Sequence, residues 1–519
     1  MRPILTADEM RAADAWAIVH GTPGITLMDN AGLAVSRAIE SRFGKERRVA
    51  VVCGLGNNGG DGFVIARTLK TEWTRVYVMG DPETLTGDAR HHYDRLRKER
   101  ARLPVTVIKT EAEWAEKAVE FGRASLVVDA LLGSGSHGAP RGLAVAAILS
   151  MRAARTRGAR VVAVDLPSGV PADAGPFDWP TVEADITVTF AAKKPCLVFS
   201  PASELAGSVV VAQIGIPDAA LQFNERGLAM FELEESDARA VFPPRPKESH
   251  KGKFGHVLIV AGSIGKAGAA VLAARAAFRT GAGLVTVASV GEVCRLVTVS
   301  QPEVMTATLG EAKECGDVNG AAGQILELAA FMDALVIGPG LGRTDKTQDF
   351  VLDVVARCGV PVVMDADALF GLRAHTLSRV SHRDAPTILT PHPGEMARLL
   401  GVDTDTVQRG RVTAVRHAAA DTRSTVVLKG RHTLIGNERS EVWLNPTGSA
   451  SLATAGTGDV LAGTIGAIVA RGVAPDLAAA AGAYVHGLAG ERAGKRRPWG
   501  TVAGDVVDAL PKAIASLGR

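Results

Sequence analysis

Aromatic side chains are scarce. Only 4% of the 519 residues are Phe, Trp or Tyr, so any core has to be filled by Val, Leu, Ile and Ala. Cysteine is scarcer: Cys53, Cys196, Cys294, Cys315 and Cys358 are odd in number and widely spaced, and no C-x-x-C occurs. That pattern excludes a disulfide framework and a zinc ribbon, and it fits a reducing cytoplasm. Charge of one sign is not in excess: 58 Lys and Arg stand against 55 Asp and Glu, mixed along the chain, for a net +3. No electrostatic footprint for nucleic acid or a membrane surface results. Val460–Ala470, among the longest uncharged apolar runs, falls short of the ~18 residues of a membrane span. Met1 to Met10 has no apolar stretch and carries Asp8 and Glu9, so no signal peptide is expected.

What the chain does have is aliphatic bulk and glycine. Hydrophobic residues make up 47%, charged residues 22%, and there are 57 glycines without a collagen period or a Gly/Ser tract. This excludes a disordered chain and puts the glycines in tight turns and ligand loops. Thr6 and Glu9 form a capping box that opens a helix, and a second helix is expected over about Thr26–Ser41. Short β-branched runs follow at Arg48–Cys53, Val76–Met79, Leu126–Val128, Val161–Val164, Ile186–Phe190 and Val209–Ala212, with helical stretches such as Gly62–Lys70 and Glu111–Phe121 between them. Apolar strands alternating with helices predict a parallel sheet covered on both faces. Charges in Glu232–Asp237 and prolines in Phe242–Pro246 mark a change of texture. It divides the chain into domains 1–225 and 226–519. A second α/β series then runs through His256–Val260, Leu284–Val287, Leu335–Ile337, Val360–Met364, Thr387–Leu389, Thr425–Leu428 and Glu441–Leu444.

In the first domain, the strand ending at Cys53 runs into Gly54-Leu-Gly-Asn-Asn-Gly-Gly-Asp-Gly62 ahead of a helix. Gly54, Gly56 and Gly59 satisfy G-x-G-x-x-G, and Asp81 follows at another strand end. Such a loop brings backbone N–H groups to a phosphate, and Asn carbonyls suit a hard cation. The plainer alternative is a glycine turn with Asp61 as the helix N-cap. Asp129 and Asp165 each end an apolar strand, where a carboxylate is costly unless paired. N-capping of the following turn is the alternative there.

Leu27-Met-Asp-Asn-Ala-Gly32, the Asn57–Gly62 loop, Asp129 with Gly133-Ser-Gly135, and Asp165-Leu-Pro-Ser-Gly169 together resemble the YjeF N-terminal family, the NAD(P)H-hydrate epimerases, over roughly residues 1–220. The resemblance implies a Rossmann-like parallel-sheet domain with a potassium ion on Asn58, Asp129 and Ser168. It also implies contacts to a hydrated nicotinamide nucleotide from Asn57, Asn58, Gly59, Gly60, Asp61, Gly133, Ser134, Gly135, Ser136, His137, Gly138, Ala139 and Asp165. Epimerisation at C6 needs reversible loss of hydroxyl or ring opening with proton transfer, and Asp165 is the expected acid/base.

In the second domain, Ala455-Gly-Thr-Gly-Asp-Val460 opens a Gly/Ala-rich helix. Helix N–H groups there would stabilise a transferring phosphoryl group, and Asp459 would take a proton from a hydroxyl. N-capping by Asp459 is the plainer alternative. Lys429 and Thr433 follow a strand and could meet nucleotide phosphates, His392 is held between two prolines, and Asp365 and Asp367 could help hold magnesium, directly or through water. A solvated lysine and a surface histidine are the alternatives. No G-x-x-x-x-G-K-[ST] occurs, which excludes a P-loop.

His250-Lys-Gly252 with Phe254-Gly255, Ala261-Gly-Ser263 with Gly268-Ala-Ala270, Gly338-Pro-Gly340, Pro391-His-Pro-Gly-Glu395, Lys429-Gly430 with Thr433, and Gly456-Thr-Gly-Asp459 resemble the YjeF C-terminal family over roughly 235–510. These are the ADP- or ATP-dependent NAD(P)H-hydrate dehydratases, within the ribokinase-like superfamily. The resemblance implies nucleotide contacts at Lys429, Gly430, Arg431, His432, Thr433 and Gly458, and hydrate contacts at Ala269, Gly340, His392 and Asp459. Together the two halves imply a bifunctional repair enzyme for the hydrates NADHX and NADPHX, using K+, Mg2+ and ADP or ATP. It would be cytoplasmic, a homo-oligomer, and without a nucleic-acid or membrane partner. The alternative is a ribokinase-like vitamin or sugar kinase with an accessory nucleotide-binding domain.

Overall fold

A computed structural model describes residues 1–44, 47–69, 71, 73–222, 230–495 and 499–518. The chain divides into two compact units, Pro3–Arg226 and Met1–Arg2 with Gly227–Arg519. The boundary expected at residue 225 lies outside the described residues. Met1 and Arg2 do not belong to the first domain, as 1–225 had it. The α-amino group of Met1 lies 3.4 and 2.9 Å from the carboxylates of Glu234 and Asp237, and Arg2 Nε is 2.6 Å from Glu234. A charged terminus with two carboxylates to meet follows that attraction, not sequence order.

The first unit carries a seven-stranded sheet in the order Val105–Ile108, Trp73–Met79, Arg48–Cys53, Leu126–Ala130, Arg160–Val164, Ile186–Phe190, Ser208–Ala212, every pair parallel. Successive side chains leave a strand on opposite faces. Val49, Val51 and Cys53 therefore enter one core with Met10, Leu27, Val35 and Phe63, and Ala50 and Val52 the other with Tyr77, Trp114, Ile148 and Met151. Both faces are buried, which is why the strands read as almost continuous apolar runs. The four-residue edge strand Val105–Ile108, mostly half-buried, was not anticipated.

Strand order reverses between Arg48–Cys53 and Leu126–Ala130, with Val52 beside Asp129 and Cys53 beside Ala130. A parallel sheet opens a crevice at such a point, beyond the carboxyl ends of its strands. The loops after Cys53 and Asp129 share that crevice. The Gly54–Gly62 segment is not a loop throughout. It is helical from Asn57 to Thr68 with Gly56 as N-cap, so Asp61 is inside the helix and not its cap. Close packing accounts for this. A Cβ on Gly59 would fall 1.9 Å from the Gly54 carbonyl, and one on Gly62 would fall 2.6 Å from the Cys53 sulfur. Tertiary contact thus outweighs the ~1 kcal/mol that each glycine costs a helix.

Ten strands of the second unit's sheet run Met230–Glu232, Val442–Leu444, Leu434–Gly436, Thr425–Leu428, Thr387–Leu389, Val362–Met364, Ala334–Ile337, His256–Val260, Leu284–Ser289, Met305–Thr308. Only Leu434–Gly436 is antiparallel to its neighbours. Met230–Glu232, Leu434–Gly436 and Met305–Thr308 were not anticipated, being three or four residues long and, at the last, half polar. The helix Thr457–Val469 packs on Ala267–Thr280 through its glycines: a Cβ on Gly463 would lie 2.1 Å from the Ala273 carbonyl oxygen. Both units are α/β with mainly parallel sheets, as anticipated.

Candidate functional site

The crevice of the first unit is a cavity of about 530 Å³ lined by Gly54–Asn58, Asp61, Leu131–Ser136, Asp165 and Lys194, and by Asp14 from the first helix. Asp165 leaves the strand Arg160–Val164 with φ +64°, a left-handed conformation costly for a residue with a Cβ. That turn aims its carboxylate at the cavity floor. Oδ1 accepts from Lys194 Nζ at 2.6 Å and Thr189 Oγ1 at 3.1 Å, and Oδ2 from the Ser134 amide at 3.3 Å. Burial opposes its charge, but Lys194 together with the hydrogen bonds from Ser134 and Thr189 holds the carboxyl below the usual range. Two other carboxyls move the opposite way. Burial pushes Asp61 well above its ordinary value, with Asp165 and Asp14 adding to it, and pushes Asp14 up to about 6.

Asp129 is fully buried beneath the cavity. Its carboxylate accepts from Ser168 Oγ at 2.5 Å, from the Ser168 amide at 2.7 Å and from the Leu131 amide at 3.3 Å. Burial raises it to about 6 against those hydrogen bonds. Asn58 is buried nearby, across Gly133, and its amide nitrogen and oxygen have no hydrogen-bond partner. A buried orphan carbonyl, a buried carboxylate and a hydroxyl form an oxygen set suited to a hard cation. The expected contact run 133–139 divides. Gly133–Ser136 line the large cavity, but His137 and Gly138 open into a smaller one with Gly169–Ala174, and Ala139 lines neither. Asp81 is half-exposed and paired with Lys109, away from the cavity lining. Lys194 and Asp14 were missed by sequence reasoning. Lys194 stands in Ala-Ala-Lys-Lys-Pro, which reads as a solvated pair, though it directly follows a buried strand's end.

In the second unit, neighbouring strands Val362–Met364, Thr387–Leu389 and Thr425–Leu428 end side by side. Their next residues therefore converge. Lys429 Nζ is 2.7 Å from Asp365 Oδ1 and 3.8 Å from Glu395, and Thr390 Oγ1 donates to the same Asp365 oxygen at 2.6 Å. Burial opposes the charge on Lys429, yet Asp365 and Glu395 outweigh it and raise its pKa. A Cβ on Gly458 would stand 3.4 Å from Lys429 Nζ and 3.7 Å from Asp365 Oδ2, so the helix N-terminus meets this pair closely. Asp459, in that first turn, is raised to about 7 by burial and then by Asp365. It does not cap the helix, whose N-cap is Gly456.

His392 is the N-cap of Pro393–Leu400: Nδ1 accepts from the Gly394 and Glu395 amides at 3.0 and 3.2 Å. An accepting Nδ1 leaves the proton on Nε2. Burial and then Lys429 disfavour its charged form. Gly340, at φ +64°, comes within 3.0 Å of Ala269 Cβ when given a Cβ, so these two expected contacts adjoin. The turn Lys429–Thr433 is held by Arg411, which sequence reasoning missed. Its Nη2 donates to the carbonyls of Leu428, Lys429 and His432, and Thr433 Oγ1 donates to the Gly430 carbonyl at 3.1 Å. Gly430 and His432 both take positive φ there, and Arg431 lies between them.

Asp365 and Asp367, expected to help hold magnesium directly or through water, are each paired with cations in this structure. Asp367 Oδ1 accepts from Arg343, Oδ2 accepts from Lys266 and the Gly342 amide, and Asp365 Oδ1 is taken by Lys429 and Thr390. Among the described residues no group of three or more His, Cys, Asp or Glu could hold a metal ion, and no helix is long and apolar enough to cross a membrane.

These two α/β units, each with charged groups gathered at the carboxyl edge of its sheet, define a protein built to handle small charged ligands. Residues 257–512 match the family described as NAD(P)H-hydrate dehydratase, and residues 24–196 the YjeF-related protein N-terminus. The chain is 41% identical to a bifunctional NAD(P)H-hydrate repair enzyme Nnr of Moorella thermoacetica, over 99% of this chain and 97% of the relative. It is 36% identical to the enzyme of the same name from Thermofilum pendens, over 96% and 93%. An ADP/ATP-dependent NAD(P)H-hydrate dehydratase from Bacillus subtilis, crystallised with ATP/Mg2+, aligns at 32% identity and a TM-score of 0.47, covering 55% of this chain and 97% of that one. The chain belongs to the family of bifunctional NAD(P)H-hydrate repair enzymes.

Proposed function

We propose that the first unit interconverts the R and S epimers of NADHX and NADPHX, and that the second dehydrates the S epimer to NAD(P)H at the expense of ADP or ATP. The observation that carries this reading is a lysine–carboxylate pair set beside a second carboxyl in each unit. In each unit a lysine pairs with one carboxylate, Lys194 with Asp165 and Lys429 with Asp365, beside another carboxyl that burial pushes above its ordinary value, Asp61 in the first and Asp459, to about 7, in the second. Groups pushed apart in this way make acid/base assignments.

In the first unit Asp165 is the base and Asp61 the group that yields a proton, so a hydroxyl can leave C6 as water and return on the other face. Asn57, Asn58 and Gly133–Ser136 line the space a nicotinamide ring would take, with Gly59 and Gly60 in the helix turn behind Asn58, and His137, Gly138 and Ala139 further out. Asn58, Asp129 and Ser168 would hold potassium, whose charge would neutralise Asp129 beneath the substrate; the unpartnered Asn58 amide supports this.

In the second unit Asp459 takes the proton of the C6 hydroxyl as that oxygen accepts the phosphoryl group. Lys429 and the amides at Gly458 bear the phosphoryl charge. The phosphate then departs as the ring nitrogen's lone pair forms an N1=C6 iminium, and loss of a proton from C5 leaves the C5=C6 double bond of NAD(P)H. Ala269, Gly340 and His392 contact the hydrate. Gly430–Thr433 contact the nucleotide, on whose phosphates magnesium would arrive. The domains are those bounded near residue 225. Five free, buried cysteines fit a cytoplasmic protein, and a homo-oligomer is proposed, tested by light scattering.

The experiment is to give the purified chain mixed NADHX epimers with Mg2+, K+ and either ADP or ATP, and to follow regenerated NADH. Complete conversion is expected, and exchange of K+ for a larger organic cation should slow the approach of the R epimer. A halt after one epimer refutes the first-unit assignment. No NADH with either nucleotide refutes the second.

A further inference from the structure

Three arginines surround one ring in the second unit. The guanidinium carbons of Arg398, Arg343 and Arg373 lie 4.5, 5.3 and 6.0 Å from the centre of the Phe370 ring. The ring face attracts each cation, but three like charges on one ring repel one another. Arg343 has a counter-ion, donating from Nε to Asp367 at 2.6 Å. Arg373 and Arg398 are exposed, and among the described residues neither has an acidic partner. Glu395, on the same helix as Arg398, is committed to His392 and Lys429. A patch of this kind is short of an anion.

Its place in the fold says which anion. Arg343 stands three residues beyond Gly340, in the loop after Ala334–Ile337. Arg398 is on the helix that His392 caps, and both arginines are close enough to His392 to disfavour its charged form. The patch thus borders two of the residues proposed to contact the hydrate, reached from two separate elements. Guanidinium groups bind phosphate oxygens through directed N–H donors.

We propose that Arg343, Arg373 and Arg398, mounted on Phe370, bind a phosphate of the dinucleotide hydrate. This rests on the dehydratase reading. The phosphate is either the pyrophosphate common to NADHX and NADPHX or the additional ribose phosphate of NADPHX.

The test uses the full chain with Arg373→Ala, Arg398→Ala and the double substitution. Arg343 is left in place because it also holds Asp367. Loss of one charge-assisted contact should raise KM for the hydrate about 10-fold or more. The fall in kcat should be smaller, KM for ADP or ATP should not follow, and Arg398→Lys should recover part of the loss. Thermal melting of each variant confirms that it is folded. A rise for both hydrates identifies the pyrophosphate, and a rise for NADPHX alone identifies the ribose phosphate. Unaltered KM for both hydrates in the folded double variant overturns the proposal, as does a rise confined to the adenine nucleotide. If the wild-type chain converts neither hydrate, the dehydratase reading has failed. Calorimetric titration of inorganic pyrophosphate then decides the platform alone: weaker binding by the double variant upholds it, and equal binding overturns it.

Discussion

Replacing Lys194 by Met tests the electrostatic logic of the first unit. The side chain is 1% exposed, and its ammonium donates to Asp165 at 2.6 Å, to Thr189 Oγ1 at 2.9 Å and to the Phe190 carbonyl at 3.1 Å. Methionine fills similar volume, so the change removes charge and hydrogen bonds more than packing. It strands a buried carboxylate, which costs about 3–5 kcal/mol. At about 2–4 °C per kcal/mol for a domain of this size, the melting point of the first unit should fall by ~6–20 °C at neutral pH. The deficit has a defined pH dependence. Asp165 is held below its unfolded value, so its contribution is present above the unfolded carboxylate range and lost as pH falls through the folded pKa. The variant should therefore approach wild type in acid. The double substitution Lys194→Met with Asp165→Asn should recover most of the lost stability, because no buried charge is left unpaired. Calorimetry at several pH values, with hydrogen exchange on the strands Arg160–Val164 and Ile186–Phe190, measures both effects. A single variant within 1 °C of wild type, or a double variant no more stable than the single, refutes the argument.

Asp459→Asn should lower the dehydratase kcat by about 10²–10⁴ with little change in KM. The wild-type rate should rise with pH through about 7 as that carboxyl ionises, and the variant's residual rate should lack this limb; a rate profile settles it. Asp14, raised to about 6 by burial, costs stability as pH climbs from the unfolded carboxylate value through 6. Asp14→Asn should thus raise the melting point above pH 6 and leave it unaltered near pH 3; the opposite pH trend would contradict the assignment. Gly463→Ala drives a Cβ to 2.1 Å from the Ala273 carbonyl oxygen, so the helices must part, at a cost of about 1–3 kcal/mol by denaturant titration.

The strands were readable because a parallel sheet buried on both faces demands nearly continuous apolar runs, as in Val161–Val164. Asp129 and Asp165 were readable because a carboxylate that ends such a run is anomalous, and Lys429 through its place in Lys429-Gly430 with Thr433. Lys194 and Asp14 gave no comparable signal. A lysine pair and an acidic residue on an amphipathic helix are ordinary on a surface, and only packing makes them buried. Arg411 and the Phe370 arginines were hidden for the same reason: they act across the fold, from positions far apart in sequence.

What the sequence determined by itself was therefore local: where most strands and helices form, and which strand ends carry charge. Tertiary structure alone decided that Asn57–Gly62 is helix, that Asp365 and Asp367 are already paired with cations, and that His137 faces a second cavity. It also decided which carboxyls are pushed above their ordinary range and which are held below it. Propensity and periodicity act over a few residues along the chain. Ionisation, by contrast, depends on burial and on charges within a few ångströms in space, and folding alone creates those neighbours.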